Sequence, residues 1–253
     1  LDLDLEFQRM FAFENIDLIQ INQGLEPSII CVDGFLTEND TGSDWLINMP
    51  DDLKKHSIYY LKWESQSFLK MVQEIFFPSI EKLFRKIVGP LVIKDVLKVW
   101  STATSNAEKA GKSLAGLLHN QEKDFILFGH SLGSRVISYC LENLNKTHKC
   151  NIVDVFLLGG AVGNDYSLWS NKNEIVGGCI YNFLSKKDRV LQILYKIGEA
   201  SKLELNSPVG RDPISIEFIQ DIDVSQIING HTVYHDKFCD LYLEYLSHKQ
   251  KIK

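Results

Sequence analysis

A strand, a tight turn and a helix follow one another without interruption near the middle of this chain, and few folds accommodate that succession. Residues 124–128, Asp-Phe-Ile-Leu-Phe, form an apolar, strand-like run. Gly129-His130-Ser131-Leu132-Gly133 comes next, and residues 134–141 read as a helix. Glycines on both sides of the serine permit a turn so sharp that larger side chains there would collide. Such a turn holds its serine in a strained conformation, with the hydroxyl projecting above the sheet at the start of a helix. A Gly-x-Ser-x-Gly match is common in passive turns as well. The strand before it and the helix after it select the nucleophile-elbow reading.

The rest of the chain supplies a sheet for that elbow. Strand-like runs recur at 28–32, 57–61, 125–128, 154–158, 179–184 and 214–218, with helical runs between them. Residues 1–5 and 16–21 read as antiparallel edge strands ahead of these. Alternating strands and helices imply βαβ units. The expected fold is an α/β-hydrolase fold, a mostly parallel, doubly wound sheet. A length of 253 residues suits one such domain over 1–253. Between Trp63 and Ala115 no strand signal occurs, whereas a simple crossover needs one helix. Residues 64–100 are therefore read as a helical insertion, with apolar periodicity at 68–88, a break at Gly89-Pro90 and a second apolar stretch at 91–100. It is either a lid over the site or a helical hairpin on the body. An ordinary surface-packed helix is expected at 101–118.

Composition narrows the function. The net charge of −6 excludes a basic nucleic-acid surface. An odd count of five cysteines, with Cys31, Cys140 and Cys179 in apolar runs, fits buried free thiols in a reducing compartment. The start of the chain shows no secretory signal, and no apolar stretch is long and charge-free enough to span a bilayer. The expected location is cytoplasmic, with peripheral membrane contact through 68–100.

A serine needs a base, and the base needs an acid, in the chain order Ser, Asp or Glu, His. Asp188 follows the 179–184 strand and a polar turn, where the acid belongs; its competing role is a helix N-cap. Asp165 is the second candidate, and Asp212 reads as a turn residue before Pro213. The base is His231 or His235, in Gly230-His231-Thr232-Val233-Tyr234-His235, read as opening a helix. His231, at the loop end, is preferred. His56, His119, His130, His148 and His248 offer less. The oxyanion donors expected are the N–H groups of Leu132 and of Phe35, which follows Asp33-Gly34 at the end of the 29–32 strand.

Three other patterns are weaker. His231-x-x-x-His235 has zinc-ligand spacing, but Thr232 stands where a zinc enzyme has glutamate. Gly111-Lys112-Ser113 lacks the upstream glycine of a phosphate loop, since position 106 is Asn. Glu38, Asp40 and Asp44 read as a solvated acidic loop. No metal or cofactor is expected.

Several segments together resemble a known family. These are Asp33-Gly34-Phe35-Leu36-Thr37-Glu38 with Trp45, Leu61-Lys62-Trp63-Glu64-Ser65, and the elbow with Arg135-Val136-Ile137. Leu157-Leu158-Gly159-Gly160-Ala161, Ser185-Lys186-Lys187-Asp188-Arg189-Val190-Leu191 and Gly230-His231-Thr232-Val233-Tyr234 follow in order. Over 29–236 the chain resembles the transmembrane and coiled-coil domain-containing family of α/β-hydrolase-like proteins. The resemblance implies Ser131, Asp188 and His231 as the matching triad, and a lipase or esterase that cleaves lipid or other carboxylic esters. Many members carry membrane segments between the Trp-Glu strand and the elbow; here 68–100 is apolar but too charged to span. The alternative is a hydrolase-fold binding module or membrane adaptor without turnover. Thioesterases and peptidases share the same triad chemistry.

Overall fold

The computed structural model describes residues 16–34, 41–64, 90–144, 149–200 and 206–252. Among the described residues seven strands lie in one sheet: β1 (Ile16–Asn22), β2 (Leu25–Val32), β3 (His56–Trp63), β4 (Asp124–His130), β5 (Asn151–Leu158), β6 (Ile180–Leu184) and β7 (Ile219–Asp223). Their spatial order is β1-β3-β2-β4-β5-β6-β7. β1 runs antiparallel to β3 at one edge, and every other neighbouring pair is parallel. Burial follows from that arrangement. β6 is buried at every position, and the last five residues of β2 are buried too. A parallel sheet is covered on both faces, so its inner strands read as continuous apolar runs. β1, at the edge, is half-buried to exposed throughout.

The α-helices among the described residues are α1 (Ser43–Asn48), α2 (Asp51–Lys54), α3 (Pro90–His119), α4 (Leu132–Asn143), α5 (Tyr166–Trp169), α6 (Arg189–Ala200) and α7 (Phe238–Ile252). Residues 91–100 and 101–118, read above as separate elements, form one helix of 30 residues. Pro90 opens it, at the helix start where a missing N–H costs nothing. Its buried stripe of Trp100, Ala103, Ala107, Ala110, Leu114 and Leu118 has the spacing of one helix face. Small residues there let α3 approach α4 closely: a Cβ on Gly111 would collide with the Val136 carbonyl. Gly111-Lys112-Ser113 is thus helix interior, and Lys112 pairs with Glu108 at 2.7 Å on the surface. Most of the 64–100 insertion, residues 65–89, lies outside the described residues, as does the 1–5 strand.

The last strand is displaced from its expected position. β7 occupies Ile219–Asp223 rather than 214–218. The amides of Ile214 and Ser215 donate to the Asp221 carboxylate at 3.0 and 2.9 Å, and Ser215 adopts φ 60. Residues 214–218 therefore hook back onto the strand that follows. The mixed composition Ile-Gln-Asp-Ile-Asp concealed that strand. The elbow between β4 and α4, set in this sheet, makes the architecture an α/β-hydrolase fold. All five cysteines are free thiols.

One buried charge gives a stability prediction. Lys172 is 5% exposed and donates to the Ser138 carbonyl at 3.2 Å. Burial pulls its pKa down to about 8, against the opposing attraction of Glu142. The unfolded chain holds that proton up to about pH 10.4. Below pH 8 the fold therefore bears the full cost of burying the ammonium, and the cost fades as pH rises from 8 to 10.4. Lys172→Met is expected to stabilise the protein at pH 7 by about 1–2 kcal/mol, after the lost hydrogen bond is allowed for. Thermal denaturation should show a rise of about 4 °C at pH 7 that shrinks by pH 10. An unchanged or lowered midpoint at pH 7 would refute it.

Candidate active site

Ser131 sits between the end of β4 and the first residue of α4, with φ 56 and ψ −121. A non-glycine residue there is strained by about 1–3 kcal/mol and persists only where its surroundings enforce it. Three contacts do so. The Ser131 N–H donates to the Leu158 carbonyl at 3.1 Å, and its own carbonyl accepts from Ser134 at 3.1 Å and Ala161 at 2.9 Å. The elbow also lies against β2: a Cβ on Gly133 would collide with the Val32 carbonyl. Arg135, one helical turn on, donates to the Ala161 carbonyl at 2.9 Å and to the Tyr195 hydroxyl at 3.1 Å, locking α4 to the loop after β5.

The structure brings Ser131, Asp188 and His231 together. His231 Nδ1 lies 2.6 Å from Asp188 Oδ2, and His231 Nε2 lies 2.8 Å from Ser131 Oγ. Carboxylate oxygens accept, so Nδ1 carries the hydrogen and Nε2 presents a lone pair to the serine hydroxyl. All three side chains are buried. Asp188 performs both roles weighed for it. Its Oδ1 accepts the Leu191 amide at 3.0 Å and caps α6, while Oδ2 meets His231. The Arg211 guanidinium donates to the Asp188 carbonyl at 2.5 Å, and Ser185 Oγ donates to the Ile228 carbonyl at 2.7 Å. The first contact ties the acid's turn to the loop before β7, and the second ties it to the segment that delivers the base. His231 occupies a turn, and the helix expected to open there starts only at Phe238.

Leu132 opens α4, where the first-turn N–H groups have no intrahelical acceptor. Phe35 lies outside the described residues. Gly34 is described, and it sits directly against the elbow. A Cβ there would collide with the Leu132 amide nitrogen and lie 3.0 Å from Ser131 Oγ. Glycine at 34 permits this close approach of the chain to the hydroxyl and that amide.

The other candidates lie elsewhere. Asp165 precedes α5 and accepts from Asn206. Asp212 is in a bend; His56 starts β3, His119 ends α3, and His248 approaches Gln220 at 3.1 Å. His148 is outside the described residues. His235 does not share a helix face with His231. It points to Asp33, its Nε2 3.0 Å from Asp33 Oδ1. His130 joins them: its Nδ1 is 3.4 Å from the same oxygen, and its Nε2–H donates to the His231 carbonyl at 3.0 Å. Burial raises the Asp33 carboxyl, but His235 and His130 outweigh it and hold the group well below the usual carboxylate range. Burial also draws the His130 pKa below the ordinary histidine value. This Asp33–His130–His235 group escaped the sequence reading. The strand register carries the signal: Val32 pairs with Gly129, so Asp33 and His130 leave adjacent strands side by side. A cavity of about 260 Å³ lies beside α6, lined by Gln192, Tyr195, Asn206 and Arg211 among others; Ser131, Asp188 and His231 are not in its wall.

Comparison with known proteins adds relatives of mixed description. "Uncharacterized membrane protein C6F6.13c" of Schizosaccharomyces pombe is 28% identical over 82% of this chain and 40% of its own length. "Transmembrane and coiled-coil domain-containing protein STS1" of Oryza sativa subsp. japonica is 25% identical over 84% of this chain and 35% of its own length. "Probable lipase MIL1" of Saccharomyces cerevisiae is 24% identical over 77% of this chain and 21% of its own length. The chain thus spans well under half the length of these relatives. Among solved structures, acetyl xylan esterase 1 from Thermoanaerobacterium sp. JW/SL YS485 aligns with a TM-score of 0.43 at 11% identity, over 96% of this chain and 92% of that one. No helix among the described residues is long and apolar enough to cross a membrane. The family described as "Protein of unknown function (DUF726)" matches residues 6–244, and the chain belongs to it.

Proposed function

We propose that the chain is a serine hydrolase that cleaves carboxylic esters, lipid esters above all, through an acyl-enzyme. The observation that carries this reading is the unbroken run of hydrogen bonds from Asp188 through His231 to Ser131, at 2.6 and 2.8 Å. In the reaction, Ser131 Oγ attacks the acyl carbonyl carbon while His231 Nε2 takes its proton. The Leu132 and Phe35 N–H groups stabilise the oxyanion of the tetrahedral intermediate. His231 then gives the proton to the leaving alkoxide, and the C–O bond breaks to leave the acyl group on Ser131. Water, deprotonated by the same imidazole, attacks the ester, and the carboxylic acid departs with Ser131 restored. Asp188 keeps the imidazole in the one tautomer able to accept the proton and offsets its positive charge once it has done so.

The lipid preference draws support from the relative named as a lipase and from the relatives named as membrane proteins. Residues 68–100 supply the membrane contact in this reading, at the cytoplasmic surface rather than across the bilayer. Ser131 is fully buried, so substrate reaches it only after a movement that uncovers the hydroxyl.

A fluorophosphonate probe tests the nucleophile, and a panel of soluble and dispersed lipid esters tests the substrate. Covalent labelling of the Ser131 peptide and turnover of long-chain esters are expected. A folded chain that stays unlabelled, or is labelled elsewhere, removes the nucleophile assignment. Cleavage of short soluble esters with no dispersed lipid touched removes the lipid preference.

A further inference from the structure

We propose that Asp33, His130 and His235 form a binding site for one divalent transition-metal ion of the zinc type, placed directly behind the Ser131–His231 pair. The three residues come from distant parts of the chain: the end of β2, the end of β4 and the turn after His231. One ligand atom from each lies within 4.8 Å of the others. Asp33 Oδ1 stands 3.4 Å from His130 Nδ1 and 3.0 Å from His235 Nε2. Ligands held about 2.0–2.2 Å from a shared ion are separated by about 3.0 Å at right angles and about 3.4 Å in a tetrahedron. The observed separations match those edges.

Hydrogen positions point the same way. The His231 carbonyl can only accept, so the hydrogen of a neutral His130 is on Nε2. Nδ1 then turns a lone pair towards a carboxylate oxygen. Asp33 Oδ1 is fully buried and makes no hydrogen bond of good geometry. A cation seated among this carboxylate oxygen and the two imidazole nitrogens would be attracted by all three. The surroundings have the form that metal ligands take. A ligating histidine gives its other N–H to a carbonyl or carboxylate, as His130 does to His231. A ligating carboxylate is itself hydrogen-bonded, and Asp33 Oδ2 accepts the Trp45 indole N–H at 2.7 Å. Two imidazoles and one carboxylate suit zinc or a neighbouring first-row ion. His231 is excluded as a ligand, because both of its ring nitrogens are already engaged.

The bound ion would join the strand end that carries Gly34, the residue before Ser131 and the turn that carries His231. The chain, stripped with a chelator and confirmed folded by circular dichroism, is titrated calorimetrically with zinc chloride. Cobalt(II) serves as a visible-absorption probe. One equivalent is expected for wild type and equally for Ser131→Ala, so the outcome is independent of whether the chain is a hydrolase. His235→Gln should weaken binding more than about 100-fold and abolish the cobalt bands. His130→Gln, which keeps a donor for the His231 carbonyl, should do the same. A folded wild type that takes up no stoichiometric metal overturns the proposal, as does binding that survives both substitutions. In the first case a proton, not a metal, holds Asp33 and His130 together.

Discussion

Ser131→Ala is expected to lower kcat for ester hydrolysis about a million-fold and to abolish fluorophosphonate labelling, with the fold preserved. The size of the loss follows from the unity of the site. His231 Nε2 stands 2.8 Å from Ser131 Oγ, so without the hydroxyl it has no serine proton to take. What remains is binding and the oxyanion donors, which alone accelerate hydrolysis only modestly over water. The variant's stability is informative too. Alanine keeps the Cβ and with it the strain of φ 56, ψ −121, which the contacts to Leu158, Ser134 and Ala161 enforce. Ser131→Gly releases that strain while adding about 0.5–1 kcal/mol of chain entropy cost. The glycine variant should therefore be more stable than the alanine variant by about 1 kcal/mol, and equally inactive. Chemical denaturation of the two proteins checks the order. Turnover in Ser131→Ala above about one per cent of wild type would mean that a different residue is acylated.

The ordering of strands in space explains which parts of this molecule its sequence discloses. β2, β4, β5 and β6 are inner strands, and their apolar runs and the glycines that end some of them are legible letter by letter. β7 escapes because Gln220, Asp221 and Asp223 interrupt its apolar pattern, and the preceding Ile-Ser-Ile run mimics a strand while it folds back through Asp221. The continuity of α3 across position 100 was hidden for a different reason. Lys94, Asp95 and Lys98 break the apolar pattern of its first turns, and Pro90 reads as a terminator although it stands where helices begin. Ser131 and Asp188 were accessible through local context alone, a turn between strand and helix and a polar turn past a strand. His231 could be ranked above His235 by its loop position, but what His235 does instead could not be read. Its partner Asp33 is about two hundred positions away in sequence. Only the pairing of β2 with β4, rather than with β3 alone, sets Asp33 beside His130 and in reach of His235. Contacts of that kind belong to topology, and no local pattern encodes them.

Asp188→Asn should retain the fold and lose about ten-thousand-fold in kcat, with a smaller change in KM. The two hydrogen bonds of the carboxylate dictate this result. Oδ1 accepts the Leu191 amide at 3.0 Å, and an acceptor must remain there because the α6 cap is buried. Asparagine satisfies that cap only with its carbonyl oxygen, which directs its NH2 group at His231 Nδ1, where Oδ2 stood at 2.6 Å. An NH2 donor requires Nδ1 to accept, so the imidazole hydrogen moves to Nε2. Nε2–H then faces Ser131 Oγ and cannot take its proton. The substitution leaves shape, volume and cap in place and reverses one tautomer, which is why activity collapses while stability changes little. Nitrogen-15 chemical shifts of the His231 ring should show Nδ1 protonated in wild type and Nε2 protonated in the variant. Asp188→Ala makes a useful contrast: it vacates the cap, so it should lower the melting temperature as well as the rate. If Asp188→Asn kept a tenth or more of wild-type turnover with the ring tautomer reversed, His231 would not be the base, whatever its distance from the hydroxyl.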